Sequence, residues 1–154
     1  MSIVRESRCV HCGNVVRTYK RKFNQGMAMT LLCMRRWQLL HRPPDGWMNL
    51  NRLEGFGGFN PSQSRENGRI AMWGLIEEKP NEATGKRTSG CWRLTQAGFQ
   101  FTGNAMVISE CVVETNNQLE KYEGKAVTIA DCLANEMQFS YPELMQRMWD
   151  EGAR

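Results

Sequence analysis

The sequence predicts an α+β fold, and three observations carry that expectation. A proline-free helical stretch runs from Gln25 to His41. An Asn60-Pro61 start leads into a second helical stretch ending near Trp73. Two strand-like runs, Leu75–Lys79 and Cys91–Thr95, flank a polar loop. The chain has 154 residues, the length of one ordinary domain, and can bury a core without disulfides. Its hydrophobic fraction of 41% and charged fraction of 23% are those of a globular protein. No apolar run approaches the roughly 20 residues needed to span a bilayer. The first ten residues, MSIVRESRCV, lack the apolar stretch of a secretory signal. The expectation is a soluble, cytoplasmic protein with no membrane partner. Six cysteines in that compartment are thiols or metal ligands rather than a disulfide framework.

Three segments follow from composition. Residues 1–24 form a basic β element around CVHCG and VVRTY, rich in β-branched and aromatic residues. Residues 25–103 form the helical and hairpin region. Asn24 caps its first helix by accepting a first-turn N–H. The apolar residues of MAMTLLCMRRWQLL cover most of the helix circumference, so more than one face is buried. Pro43-Pro44 and Asp45-Gly46 end it. Trp47–Leu53 reads as one or two helical turns, and GFGGF at 55–59 as a turn. The second helix has Pro61 at its first position, where the missing N–H costs nothing, and Gly74 as its stop. Gly68 inside it costs roughly 1 kcal/mol against Ala. The two strands then make a hairpin with a long tip, PNEATGKRTSG, and TQAGFQF forms a helical turn closing on Gly103. Residues 104–154 form an acidic mixed α/β extension. Met106–Ile108 and Cys111–Val113 are strand-like, and Asn116-Asn117 suits a turn with positive φ. Thr128-Ile129-Ala130-Asp131 resembles a capping box, and Ser140-Tyr141-Pro142-Glu143 repeats the device.

The net charge of +4 hides a gradient. Residues 1–43 hold Arg5, Arg8, Arg17, Lys20, Arg21, Lys22, Arg35, Arg36 and Arg42 against Glu6, a net +8. Residues 44–103 sum to +1 and residues 104–154 to −5. One end suited to a polyanion gives this pattern. A solvated surface whose halves attract each other, as across a dimer, gives it too.

The order helix, short helix, helix, strand, basic loop, strand resembles a winged helix-turn-helix, covering about residues 27–103. The residues that carry the resemblance are WGLIEE at 73–78 and GCWRLTQAG at 90–98. The whole layout, with CVHCG at 9–13 and QFSYPELM at 138–145, resembles small winged-helix proteins encoded by phages and prophages. That resemblance implies a phage origin and action in the host cytoplasm, as a regulator or as an inhibitor of host machinery. The expected fold is therefore α+β: a winged helix-turn-helix with an N-terminal β knuckle and a small mixed α/β extension.

A nucleic-acid partner assigns roles. The second helix enters the major groove by its N-terminal half. Gln63 and Asn67 carry the bidentate amide suited to adenine, while Arg65 and Arg69 suit guanine or phosphate. Ser62 and Ser64, with the helix N-terminus, hold a phosphate. Lys86 and Arg87 on the wing meet the backbone or minor groove, and Arg17, Lys20, Arg21 and Lys22 neutralise phosphates beside Tyr19. The plain alternative is a surface helix and a solvated hairpin. Winged helices also dock on proteins, so fold does not fix function. The competing expectation is an inhibitor or adaptor bound to a host complex, such as an RNA-guided defence nuclease. A homodimer is expected in either case.

Cys9 and Cys12 have the half-site spacing of a zinc ribbon. A structural zinc wants four ligands, and no second C-x-x-C exists. A second protomer, distant donors such as Cys33, His41 or Cys91, or no metal at all are the open alternatives. Cys33 and Cys132 read as small buried hydrophobes. No G-x-S-x-G, P-loop or H-E-x-x-H is present, and Glu77-Glu78 on a strand point to opposite faces. No enzymatic role is expected.

Overall fold

A computed structural model of the chain describes residues 2–55, 61, 67–80, 89–134, 143 and 145–146. These form a mixed α+β fold with two antiparallel sheets. Strands β1 (Ser2–Arg8) and β2 (Val15–Lys22) make a hairpin with Cys9–Asn14 at its tip. Helix α1 follows over Gln25–His41. Asn24 caps it as expected: its side chain accepts the Met27 N–H at 2.9 Å. The helix stops at Arg42, which takes a left-handed conformation ahead of the two prolines and donates its N–H to Gln38 O. Met27 through Met34 are buried without interruption. A run of that length covers every face of a 3.6-residue turn. The helix packs against α3, α4 and β5.

Trp47–Leu53 departs from the expected helical turns. Met48–Asn49 form strand β3, and only Leu50–Arg52 make a single 3-10 turn. The reason is tertiary: Met48 and Asn49 pair with Trp92 and Cys91, and ladder bonds outweigh local propensity. Of the second helix, Asn67–Ile70 is described as α2, tightening to a 3-10 turn at Ala71–Trp73. Gly74 ends it with φ +74, the left-handed stop that glycine permits. Strands β4 (Ile76–Glu78) and β5 (Cys91–Leu94) pair antiparallel. The small sheet has the order β3-β5-β4.

Helix α3 spans Gln96–Thr102, with Thr95 accepting from Gly98 N. Strand β6 (Ile108–Thr115) turns through Asn116 and Asn117, at φ 51 and 63, into β7 (Gln118–Val127). Two positive φ values in a two-residue loop are the type I′ pattern that matches strand twist. The expected capping box is present: Thr128 N donates to Asp131 Oδ2 at 2.9 Å and Asp131 N to Thr128 Oγ1 at 3.2 Å. It starts α4, Ile129–Ala134.

The larger sheet has the order β1-β2-β6-β7. The N-terminal β element and the C-terminal extension therefore share one sheet, joined along β2 and β6. Phe23, just past β2, ties this sheet to the helical half. Its ring lies edge-on to Trp73 at 5.2 Å and to Phe101 at 5.5 Å. Trp73 donates its indole N–H to Ser109 O on β6 at 2.7 Å. The core is one cluster spanning both halves, and Met145 packs against it. No helix among the described residues is long and apolar enough to cross a membrane.

Candidate nucleic-acid interface

The helix leading into β4 is oriented by its apolar residues. Ile70 and Trp73 are buried three positions apart, which turns Gly68 and Arg69 outward. Arg69 is half-exposed and makes no ion pair among the described residues. Asn67 is the first residue of this segment, nearly two turns before its end at Trp73. Ser62, Gln63, Ser64 and Arg65 lie outside the described residues.

The hairpin after it is fixed at its base. Lys79 N donates to Cys91 O at 2.9 Å, and Ser89 Oγ donates to Lys79 O at 2.6 Å. Across the strands Arg93 pairs with Glu77. The same guanidinium donates to Asp45 O at 2.9 Å and stacks over Trp47 at 4.0 Å. Arg93 is thus spent on pinning the loop after α1 to β5. Residues 81–88, with Lys86 and Arg87, lie outside the described residues.

Two stretches singled out in the sequence meet each other. Thr95 Oγ1 donates to Gly74 O at 2.6 Å and accepts from Gly98 N at 3.1 Å, while Thr95 N donates to Leu75 O at 3.1 Å. WGLIEE and WRLTQAG are the two sides of one clamp holding helix, hairpin and α3 together.

The basic N-terminal third is largely engaged within the molecule. Arg5 pairs with Glu120 at 2.7 Å, Arg17 with Glu6 at 3.2 Å and Lys20 with Glu123 at 3.3 Å. Arg21 pairs with Glu114 at 2.7 Å and lies over the Tyr19 ring at 5.1 Å. Glu114 is 2% exposed and Arg21 12%. Arg35 reaches Phe99 O and Thr102 Oγ1, closing the end of α3. The two ends of the charge gradient therefore attract each other across one sheet, inside one chain. The hydrogen bond from Lys20 holds the Glu123 carboxyl below its ordinary range, and one from Thr115, with Arg5 behind it, does so for Glu120. Lys22 at the end of β2 is exposed and makes no ion pair among the described residues. It shares a cleft of about 150 Å³ with Lys125, Glu110, Asp131 and Cys132.

The acidic partners Glu114, Glu120 and Glu123 were not singled out by the sequence reading. Glu114 lies on β6 and Glu120 and Glu123 lie three positions apart on β7, so no single period-two alternation points to all three.

At the other hairpin tip, Cys9 N donates to Asn14 O at 2.8 Å and Gly13 N to Cys9 O at 2.9 Å, with Gly13 at φ +72. The amides of Cys12 and His11 are directed at the Cys9 sulfur, and these hydrogen bonds lower its thiol pKa. Cys33 is buried in α1 and Cys91 lies on β5. Among the described residues no group of three or more His, Cys, Asp and Glu is placed to hold a metal. No protein-family model, no curated protein and no solved structure matches this chain.

Proposed function

We propose that the chain is a phage-type winged-helix protein that binds nucleic acid through the segment entering β4 and the loop between β4 and β5, without catalysis. The observation that supports it is the small sheet. A long helix, a strand, a short turn, a helix and a hairpin occur in order, and the first strand pairs with the last to give β3-β5-β4. That order brings the segment entering β4 and the β4–β5 hairpin to one sheet, which supports groove contacts by the first and backbone contacts by the second. The sequence supplies those two elements with Ser62, Gln63, Arg65, Asn67 and Arg69, and with Lys86 and Arg87.

The larger sheet has a subordinate part. Arg21 is committed to a buried carboxylate and is structural. Arg17 and Lys20 sit in exposed pairs worth little by themselves, so a phosphate can exchange for Glu6 or Glu123. Lys22 needs no exchange among its described neighbours.

The test is anisotropy titration of duplex DNA with the full chain, Arg69→Ala, and a Lys86→Ala/Arg87→Ala double variant. Each lost phosphate contact flattens the salt slope by about one unit, and a lost base contact costs about 1–3 kcal/mol. Unchanged binding by both variants overturns this assignment. A second reading, an inhibitor or adaptor docking on a host protein complex, is favoured by edge strand β1, which exposes Ile3 and Val4 beside unpaired backbone. Partners recovered from lysate after nuclease digestion support it, and loss of all partners on digestion counts against it.

A further inference from the structure

We infer that Cys9 and Cys12 form half of a tetrahedral zinc site, and that the same pair from a second copy of this chain completes it at the hairpin tips. The inference does not depend on nucleic-acid binding. Both thiols lie in one tight turn between paired strands. Arg8 pairs with Val15 at the last rung of the ladder, and the Cys9–Asn14 and Gly13–Cys9 bonds close the tip. Cys9 and Cys12 are separated by two residues within the six-residue tip Cys9–Asn14, where the left-handed Gly13 turns the chain back. A tight turn that carries two cysteines at this spacing is what a structural zinc site requires of each half.

The other half does not come from the described residues of the same chain. Cys33 and Cys111 are buried, Cys91 and Cys132 are partly buried in the body of the fold, and none forms a group of three donors with this pair. The tip instead points away from the core: Cys12 and His11 are exposed, and Val10 between them is 92% exposed. An apolar side chain held that far into water gains by meeting its counterpart on a second tip. Two knuckles facing each other supply four sulfurs, the closed set of a structural zinc.

Charge balance agrees. As Zn²⁺ binds, four thiols release four protons to solvent and the centre carries −2. Arg8 donates from Nη1 to Gly13 O at 3.1 Å in the same turn, so two copies bring two guanidinium groups to that anion.

The test uses the full chain, purified reduced and without added metal, with zinc measured by elemental analysis and mass by light scattering. The expected result is one zinc per two chains and a dimer. A chelator should release zinc and give monomer with an unchanged far-ultraviolet spectrum. Cys9→Ser and Cys12→Ser should lose zinc and dimer together, and His11→Ala should keep both. One zinc per monomer, a dimer that survives chelation, or no zinc uptake on titration of the reduced chain would overturn the inference.

Discussion

Gly98 packs against the carbonyl oxygen of Leu75 so closely that a Cβ at position 98 would overlap it. The first turn of α3 can therefore lie on the strand entry only while position 98 has no side chain. Gly98→Ala should shift α3 off Thr95 and Leu75, at the cost of an overpacked core, about 1–3 kcal/mol. Urea denaturation should show a lower midpoint at unchanged slope. A midpoint equal to that of the parent chain would mean the contact yields freely.

The Arg21–Glu114 pair predicts an asymmetry. Glu114 is the deeper partner, and its Oε2 has no hydrogen-bond partner among the described residues. Removing the arginine strands a buried carboxylate, so Arg21→Met should cost roughly 3 kcal/mol or more. Glu114→Gln should cost less, because the long arginine stem can carry its head to water. Thermal melts of the two variants and of the double variant measure the coupling. Equal losses would contradict the burial order.

Stability should fall on acidification through the surface carboxylates of the larger sheet and α4. Hydrogen bonds from Thr128 lower the Asp131 pKa, and those from Thr115 and Lys20 lower Glu120 and Glu123. A carboxyl with a depressed folded pKa contributes stability above its unfolded value, about 4, and loses it as pH falls through the folded value. Melting temperature should therefore decline below about pH 4 and not between pH 6 and 8. In Asp131→Asn the acid decline should shrink.

The thiols should react in a set order. Cys9 is lowered by the amides around it and Cys12 is exposed, whereas burial pushes Cys132 up to about 11 and raises Cys111. The thiolate is the nucleophile, so alkylation of the reduced, chelator-treated chain at neutral pH followed by peptide mass analysis should label Cys9 and Cys12 before Cys132 and Cys111. Early labelling of Cys132 would show that its burial is transient.

Much of the helical half was legible because its signals are local. Asn24, Gly74 and the Thr128/Asp131 box act within one turn, and each is found where the sequence places it. Strand β7 was not legible. QLEKYEGKAV carries four charged residues and a glycine in ten, and it becomes a strand through its ladder with β6 rather than through propensity. The β2–β6 pairing joins residues about ninety positions apart, which no local pattern reports. The meaning of the charge gradient was hidden for the same reason. Lys20 and Arg21 read as part of a phosphate-facing set until Glu123 and Glu114 are brought opposite them.

The central claim is that this chain meets nucleic acid with cationic side chains. Its most direct test is duplex DNA affinity at a series of salt concentrations. Phosphate contacts release counterions, each contributing about −0.9 to the slope of log affinity on log salt. Contacts from Arg65, Arg69, Lys86 and Arg87 should give a slope of about −3 or steeper. A slope near zero, or no binding at low salt, would contradict the account.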